Sequence, residues 1–163
     1  MYYPKRREEA SNSMKTIIQF VILIFWCSLS YGQQEQDSIA IINVLKTEAA
    51  TWRSGDIEAH ANCWQLRPYS KILISTGSGK IVDIDPNLIV NPPPSMVGTG
   101  GYAELSNFTM SILGDSAWVS HDELSVAPNG EKSLSKEIRL LEKVEGEWKL
   151  VGQSIHVDGE YEE

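Results

Sequence analysis

Asp122, Glu137, Arg139, Ser154 and His156 are the side chains whose types and spacing are best suited to chemistry. Two neighbouring carboxylates resist double ionisation. One of an adjacent Asp122–Glu137 pair would therefore hold its proton unless Arg139 relieved the strain. A proton-holding carboxyl beside His156 could carry general acid–base work, with Arg139 anchoring an anionic group. Asp122, Glu137 and His156 are thus the candidate catalytic residues. Whether they meet depends on strand register, and register depends on the turns between strands.

From Ala103 onward the pattern is one of strands and tight turns. "YAELSNFTMSI" and "SAWVSHDELSV" are separated by Gly114-Asp115. The next two junctions carry Asn129-Gly130 and Glu145-Gly146. Each reads as a two-residue turn with glycine where positive φ is wanted, which gives a four-stranded antiparallel meander.

The turns fix cross-strand neighbours. Centred as above, they place Arg139 opposite Gly152, Glu137 opposite Ser154 and Ser135 opposite His156. Trp118 falls opposite Leu141, Ser120 opposite Arg139, and Asp122 opposite Glu137. All of these share one side of the sheet, because strand side chains alternate. One end is aromatic and aliphatic, the other polar, as in a pocket with an apolar floor and a few convergent polar groups. Trp118, Ser120, Arg139 and Ser154 are accordingly candidate ligand contacts. The opposite side carries Phe108, Met110, Ile112, Val119, Leu134, Ile138, Leu140, Val151 and Ile155, and has its own claim to pack on the helices. In that arrangement the polar cluster is a solvated salt-bridge ladder, worth about 0–1 kcal/mol per exposed pair. A bulge at Gly152 would reverse the face of His156.

The elements before the meander are helical. "DSIAIINVLKTEAATWRSGD" is amphipathic, with Ile39, Ile42, Leu45, Ala49 and Trp52 at three- and four-residue spacing and Asp37 or Ser38 as the cap. Asp56 caps a second helix, "DIEAHANCW", with Ile57, Ala61 and Trp64 along one side. Pro68 stops it, and "YSKILIS" follows as a strand. The Gly- and Pro-rich middle reads as a hairpin and a long loop, and any helix near Pro86 must end before "NPPP". Trp52, Trp64 and Tyr69 are the aromatic candidates for lining a pocket.

This order resembles the nuclear transport factor 2-like fold, including the SnoaL-like domains. The local matches are "RSGDIEA" between the helices, "GDSAWVS" entering a strand and "RLLEKVEGEWKLV" at the last hairpin. The resemblance spans Asp37 to Val157. It implies an α+β, cone-shaped fold with N-terminal helices packed on a curved antiparallel sheet. It also implies a pocket between the two, a homodimer, and functions from isomerase to plain ligand binding. The ketosteroid isomerase branch carries a general-base Asp on the strand after the second helix. Here that strand reads "YSKILIST" and has no carboxylate.

Residues 1–32 read as a secretory signal, with basic Lys15, an apolar run from Ile17 to Leu29, and Ser30-Tyr31-Gly32 before the cut. The run falls short of the roughly 20 residues a membrane anchor needs. Met14 reads as a better start than Met1. The expectation is an exported chain, periplasmic or secreted, with the SnoaL-like domain over 33–163 and no membrane attachment after cleavage. With 22 acidic and 14 basic residues the formal net charge is −8, and removing Lys5, Arg6, Arg7 and Lys15 makes it more acidic. Nucleic acid is excluded as a partner, because binding it requires concentrated positive charge. Cys63 is the only cysteine beyond the leader, so the core rather than disulfides must hold the domain.

His60 and Cys63 stand three apart on a helix, but two ligands do not make a metal site, and no metal is expected. "TGSGK" lacks the spacing of a phosphate loop, and no cofactor is expected. The partner expected is a small, partly apolar molecule, bound with or without turnover.

Overall fold

Gly55 ends the first helix. The computed structural model describes residues 33–160, and α1 runs over 33–54. At Gly55 φ is +79°, its N–H reaches Trp52 O at 3.3 Å, and the Asp56 N–H reaches Thr51 O at 3.1 Å. Those two bonds, with a left-handed glycine, satisfy the last carbonyls of a helix. The expected cap at Asp37 or Ser38 is corrected, because α1 already runs through both. Asp37 instead takes hydrogen bonds from Trp148 Nε1 at 2.9 Å and Lys143 Nζ at 2.5 Å, tying α1 to the last hairpin.

The buried stripe of α1 is Ile41, Leu45, Glu48 and Ala49, while Ile39 is exposed. The stripe is therefore rotated from the expected one. The chain divides into two compact units, Met1–Gln36 and Asp37–Glu163, and every other element belongs to the second. The signal peptide, its cut and the Met14 start lie outside the described residues.

Asp56 caps α2 (Ile57–Asn62) as expected, its carboxylate accepting from the Ala59 N–H at 3.1 Å. β1 (Ile72–Ser75) and β2 (Ile81–Ile84) form the first hairpin, and α3 (Asn87–Val90) ends at "NPPP". The meander follows as β3 (Tyr102–Leu113), β4 (Ser116–Val126), β5 (Lys132–Val144) and β6 (Glu147–Glu160). The six strands form one curved, unclosed sheet in the order β2-β1-β6-β5-β4-β3. Every pairing is antiparallel except β1 with β6. Helices packed on one face of this sheet make the domain α+β.

Ile41 and Leu45 from α1 and Trp64 from the end of α2 meet Val119, Leu141 and Leu150 of the sheet in one core. Truncating a residue such as Leu150, fully buried, would cost about 2–5 kcal/mol. Among the described residues no helix is long and apolar enough to cross a membrane.

Candidate functional site

Two departures from ideal hairpin register decide which side chains meet. The β4–β5 connection is not the two-residue turn expected at Asn129-Gly130. Ala127 N–H bonds Glu131 O at 2.9 Å, leaving Pro128, Asn129 and Gly130 as a three-residue loop. Every β4–β5 pair therefore slips by one residue, and Trp118 faces Leu140, Val119 faces Arg139 and His121 faces Glu137. A one-residue slip sends each side chain to the opposite face of the sheet.

The second departure lies in β6. The Glu145-Gly146 turn holds, and Leu141 pairs with Leu150 as expected. The register then shifts, with Leu140 opposite Gly152 and Arg139 opposite Gln153. Val151 is the extra residue of this bulge. A Cβ on Gly152 would stand 3.3 Å from Lys71 O and 3.6 Å from Leu140 Cδ1, so the bulge passes closest to β1 and β5 where there is no side chain.

Together these shifts divide the expected cluster. Asp122, Trp118, Ser120, Ser154 and His156 lie on the outer face of the sheet, whereas Glu137 and Arg139 lie on the inner face against the helices. His156 is exposed opposite Lys136, with Nε2 3.0 Å from Ser154 Oγ. Asp122 accepts from Asn107 Nδ2 at 2.7 Å and pairs with Lys136 at 3.2 Å, and these contacts lower its pKa. It is no neighbour of Glu137. Trp64 belongs to the core, bridged to Leu150, and Tyr69 is 64% exposed with its hydroxyl donating to Glu142. Of the aromatic candidates Trp52 alone lines the inner cavity.

That cavity, about 270 Å³, opens between α1 and the inner faces of β1, β2, β4, β5 and β6. Its apolar wall is Trp52, Ile74, Ile84, Ile89, Ile155 and Val157. Its polar wall is Glu48, Glu123, Glu137, Arg53, Arg139 and Gln153.

Arg139 is the centre of the polar wall. Its Nη2 donates to Glu137, its Nη1 to Gln153, and Nη1 also stands 3.5 Å from Glu48 Oε2. Burial opposes the charge of this guanidinium, but Glu48, Glu137 and Glu123 outweigh it and raise its pKa. Arg53 makes a parallel group, donating to Glu123 and Ser125 Oγ, both at 2.6 Å.

A buried histidine stands behind each carboxylate that Arg139 touches. His60 Nδ1 is 3.2 Å from the Glu48 carbonyl, and its Nε2 is 3.8 Å from Glu48 Oε1. His121 Nε2 is 3.7 Å from Glu137 Oε2, and its ring lies 5.4 Å from that of Phe108. Burial, then the charge of Arg139, lowers the His121 pKa. Burial pushes the Glu48 pKa up, with Arg139 and His60 opposing. A carboxyl of this kind can hold a proton inside a cavity, which is the property sought in a general acid.

Glu48, His60, His121, Glu123 and Gln153 were absent from the expected site. Glu48 did leave a signal, because it interrupts the apolar series Ile41, Leu45, Trp52 at helical spacing. No group of three or more His, Cys, Asp or Glu side chains placed to hold a metal occurs among the described residues. Cys63 donates instead to Ala59 O, and burial raises its thiol pKa to about 11.

Solved structures share this architecture. A protein from Novosphingobium aromaticivorans, described as nuclear transport factor 2-like with a cystatin-like fold, superposes with a TM-score of 0.60 at 13% identity, covering 78% of this chain and 86% of that one. A cystatin-like-fold protein of unknown function from Nostoc punctiforme gives 0.59 at 16%, covering 76% and 92%. A nuclear transport factor 2-like protein of unknown function from Shewanella baltica gives 0.55 at 17%, covering 75% and 94%. The chain has the nuclear transport factor 2-like fold. No family model matches the sequence, and no curated protein matches it. The space between helices and sheet is where this chain gathers most of its buried polar groups.

Proposed function

We propose that this is an exported domain that binds a small, partly apolar molecule in the cavity between α1 and the sheet, without turnover. The observation that carries the reading is the union, on one cavity, of the apolar wall around Trp52 and Ile155 with the charged wall around Arg139. Small-molecule sites have that composition, a largely apolar surface with a few fixed polar groups. The test is whether the purified chain retains a small molecule that an Ile155→Trp substitution, filling the cavity, expels.

A second reading, acid–base catalysis, draws on one observation, the raised pKa of Glu48 beside His60. In it Glu48 replaces Asp122 and His156 as proton carrier, and Glu48→Gln abolishes turnover of a substrate while the protein still melts cooperatively.

We also propose a homodimer through the outer face of the sheet. Trp118 and Leu140, paired across β4 and β5, are 40% and 45% exposed there. Leu124, Leu134 and Ile138, half-buried, extend the patch. A second copy covering this face would remove an apolar surface that monomers seldom leave in water.

A further inference from the structure

The polar wall of the cavity is not balanced, and the imbalance indicates what it would take. Its two guanidiniums are engaged through their terminal nitrogens, while Arg139 Nε has no acceptor. Arg53 spends Nη2 on Glu123 and Ser125 and Nη1 on Ala49 O at 2.9 Å. Arg139 spends Nη1 on Gln153 and Nη2 on Glu137. Three carboxylates share these two cations, and Glu48 has the weakest share, an ion pair with Arg139 Nη1 at 3.5 Å and no hydrogen bond. Among the described residues no group donates a hydrogen bond to either of its carboxyl oxygens. Its nearest cationic or imidazole nitrogens are at 3.5 and 3.8 Å. Yet the residue is only 6% exposed, and what exposure it has is to the cavity.

A buried carboxyl without a donor is an unmet demand that an incoming donor can satisfy. An anionic ligand would meet three carboxylates and two guanidiniums whose terminal nitrogens are already paired. Trp52 lines the same cavity one helical turn from Glu48, and an indole face attracts a cation at close range. The chain's charge of −8 favours a cation's approach as well. The volume, near the lower end of the roughly 300–1,000 Å³ of ligand sites, limits the occupant to about one ring.

We infer that the cavity selects a small primary amine, its ammonium donating to Glu48 and its apolar body lying along Trp52 and Ile155. This rests on the small-molecule reading above, and deepens it.

The test uses the full chain and three single-ring probes of one shape, benzylamine, benzyl alcohol and benzoate, titrated while amide and indole N–H resonances are followed. The expected result is that benzylamine shifts the Trp52 indole and its neighbours and binds roughly tenfold or more tighter than the alcohol, as a charge-assisted hydrogen bond would give. Benzoate should not bind. Glu48→Gln should abolish the preference for the amine while leaving the alcohol's weaker binding. Should that variant fail to fold, the three probes on the wild-type chain decide alone.

Equal or tighter binding of alcohol or benzoate overturns the amine inference and leaves the small-molecule reading standing. So does a retained natural ligand that carries no amine. Amine shifts confined to surface carboxylates also overturn it. If no probe binds and the chain carries no molecule when purified, both readings fall together.

Discussion

Gln153 stands opposite Arg139 and accepts a hydrogen bond from its guanidinium, in the place that the hairpin turn alone would give to Gly152. One bulge at Val151 makes that exchange. It carries Gln153, Ile155 and Val157 to the cavity and turns Ser154 and His156 to the outer face.

His156→Ala should leave the melting temperature and any cavity binding unchanged, within the roughly 0.5 kcal/mol typical of exposed sites. Gly152→Val should not be neutral. Its side chain would enter the 3.3 Å gap to Lys71 O, and overpacking of that kind costs about 1–3 kcal/mol. Urea denaturation of the two variants side by side measures both. A severe loss on His156→Ala would mean that the histidine faces inward after all.

Arg139 neutralises two buried carboxylates at once. Arg139→Met should therefore cost about 3–5 kcal/mol, since Glu137 and Glu48 would remain buried without their cation. Adding Glu137→Gln should recover part of that loss, which a double-mutant cycle reads directly. A merely additive cycle would show that the pair is not coupled.

The pH dependence follows from His121. Burial depresses its pKa in the fold below the ordinary value of 6.5. A group so depressed contributes stability that is present above the unfolded value and lost as pH falls through the folded one. The groups facing it are Arg139, Glu137 and Glu123, with the Phe108 ring alongside. Glu48 acts in the opposite sense, since its raised pKa favours the fold as pH falls. Melting curves below pH 6.5 should thus show a decline that His121→Gln reduces. An identical decline in the variant would assign the effect elsewhere.

On the outer face, Leu140→Glu places a charge in the patch shared with Trp118. Light scattering should find the wild-type chain dimeric and the variant monomeric, with the fold retained. A monomeric wild type contradicts the outer-face dimer.

The fold was legible because its signals are local. Gly55 stops a helix, Asp56 caps the next, and the Gly114 and Gly146 turns hold the expected hairpins. The site was not legible, because it depends on register accumulated over several strands. Asn129-Gly130 looks the same in a two-residue turn and in a loop that includes Pro128, yet the choice moves Trp118, Ser120 and Asp122 to the far face of the sheet. The bulge at Val151 gave a hint only through Gly152. Glu48 and His60 come from helices, and no strand pattern brings them to Glu137 and Arg139. Only the packing of α1 and α2 against the inner face does.

The most direct measurement is native mass spectrometry of the chain purified after expression of the full sequence, beside its Ile155→Trp variant. A reproducible small-molecule adduct on the wild type, absent from a variant that melts normally, is the result expected of a binding cavity between Trp52 and Arg139. Bare chains in both samples, with no ligand bound on adding candidate molecules, would contradict it.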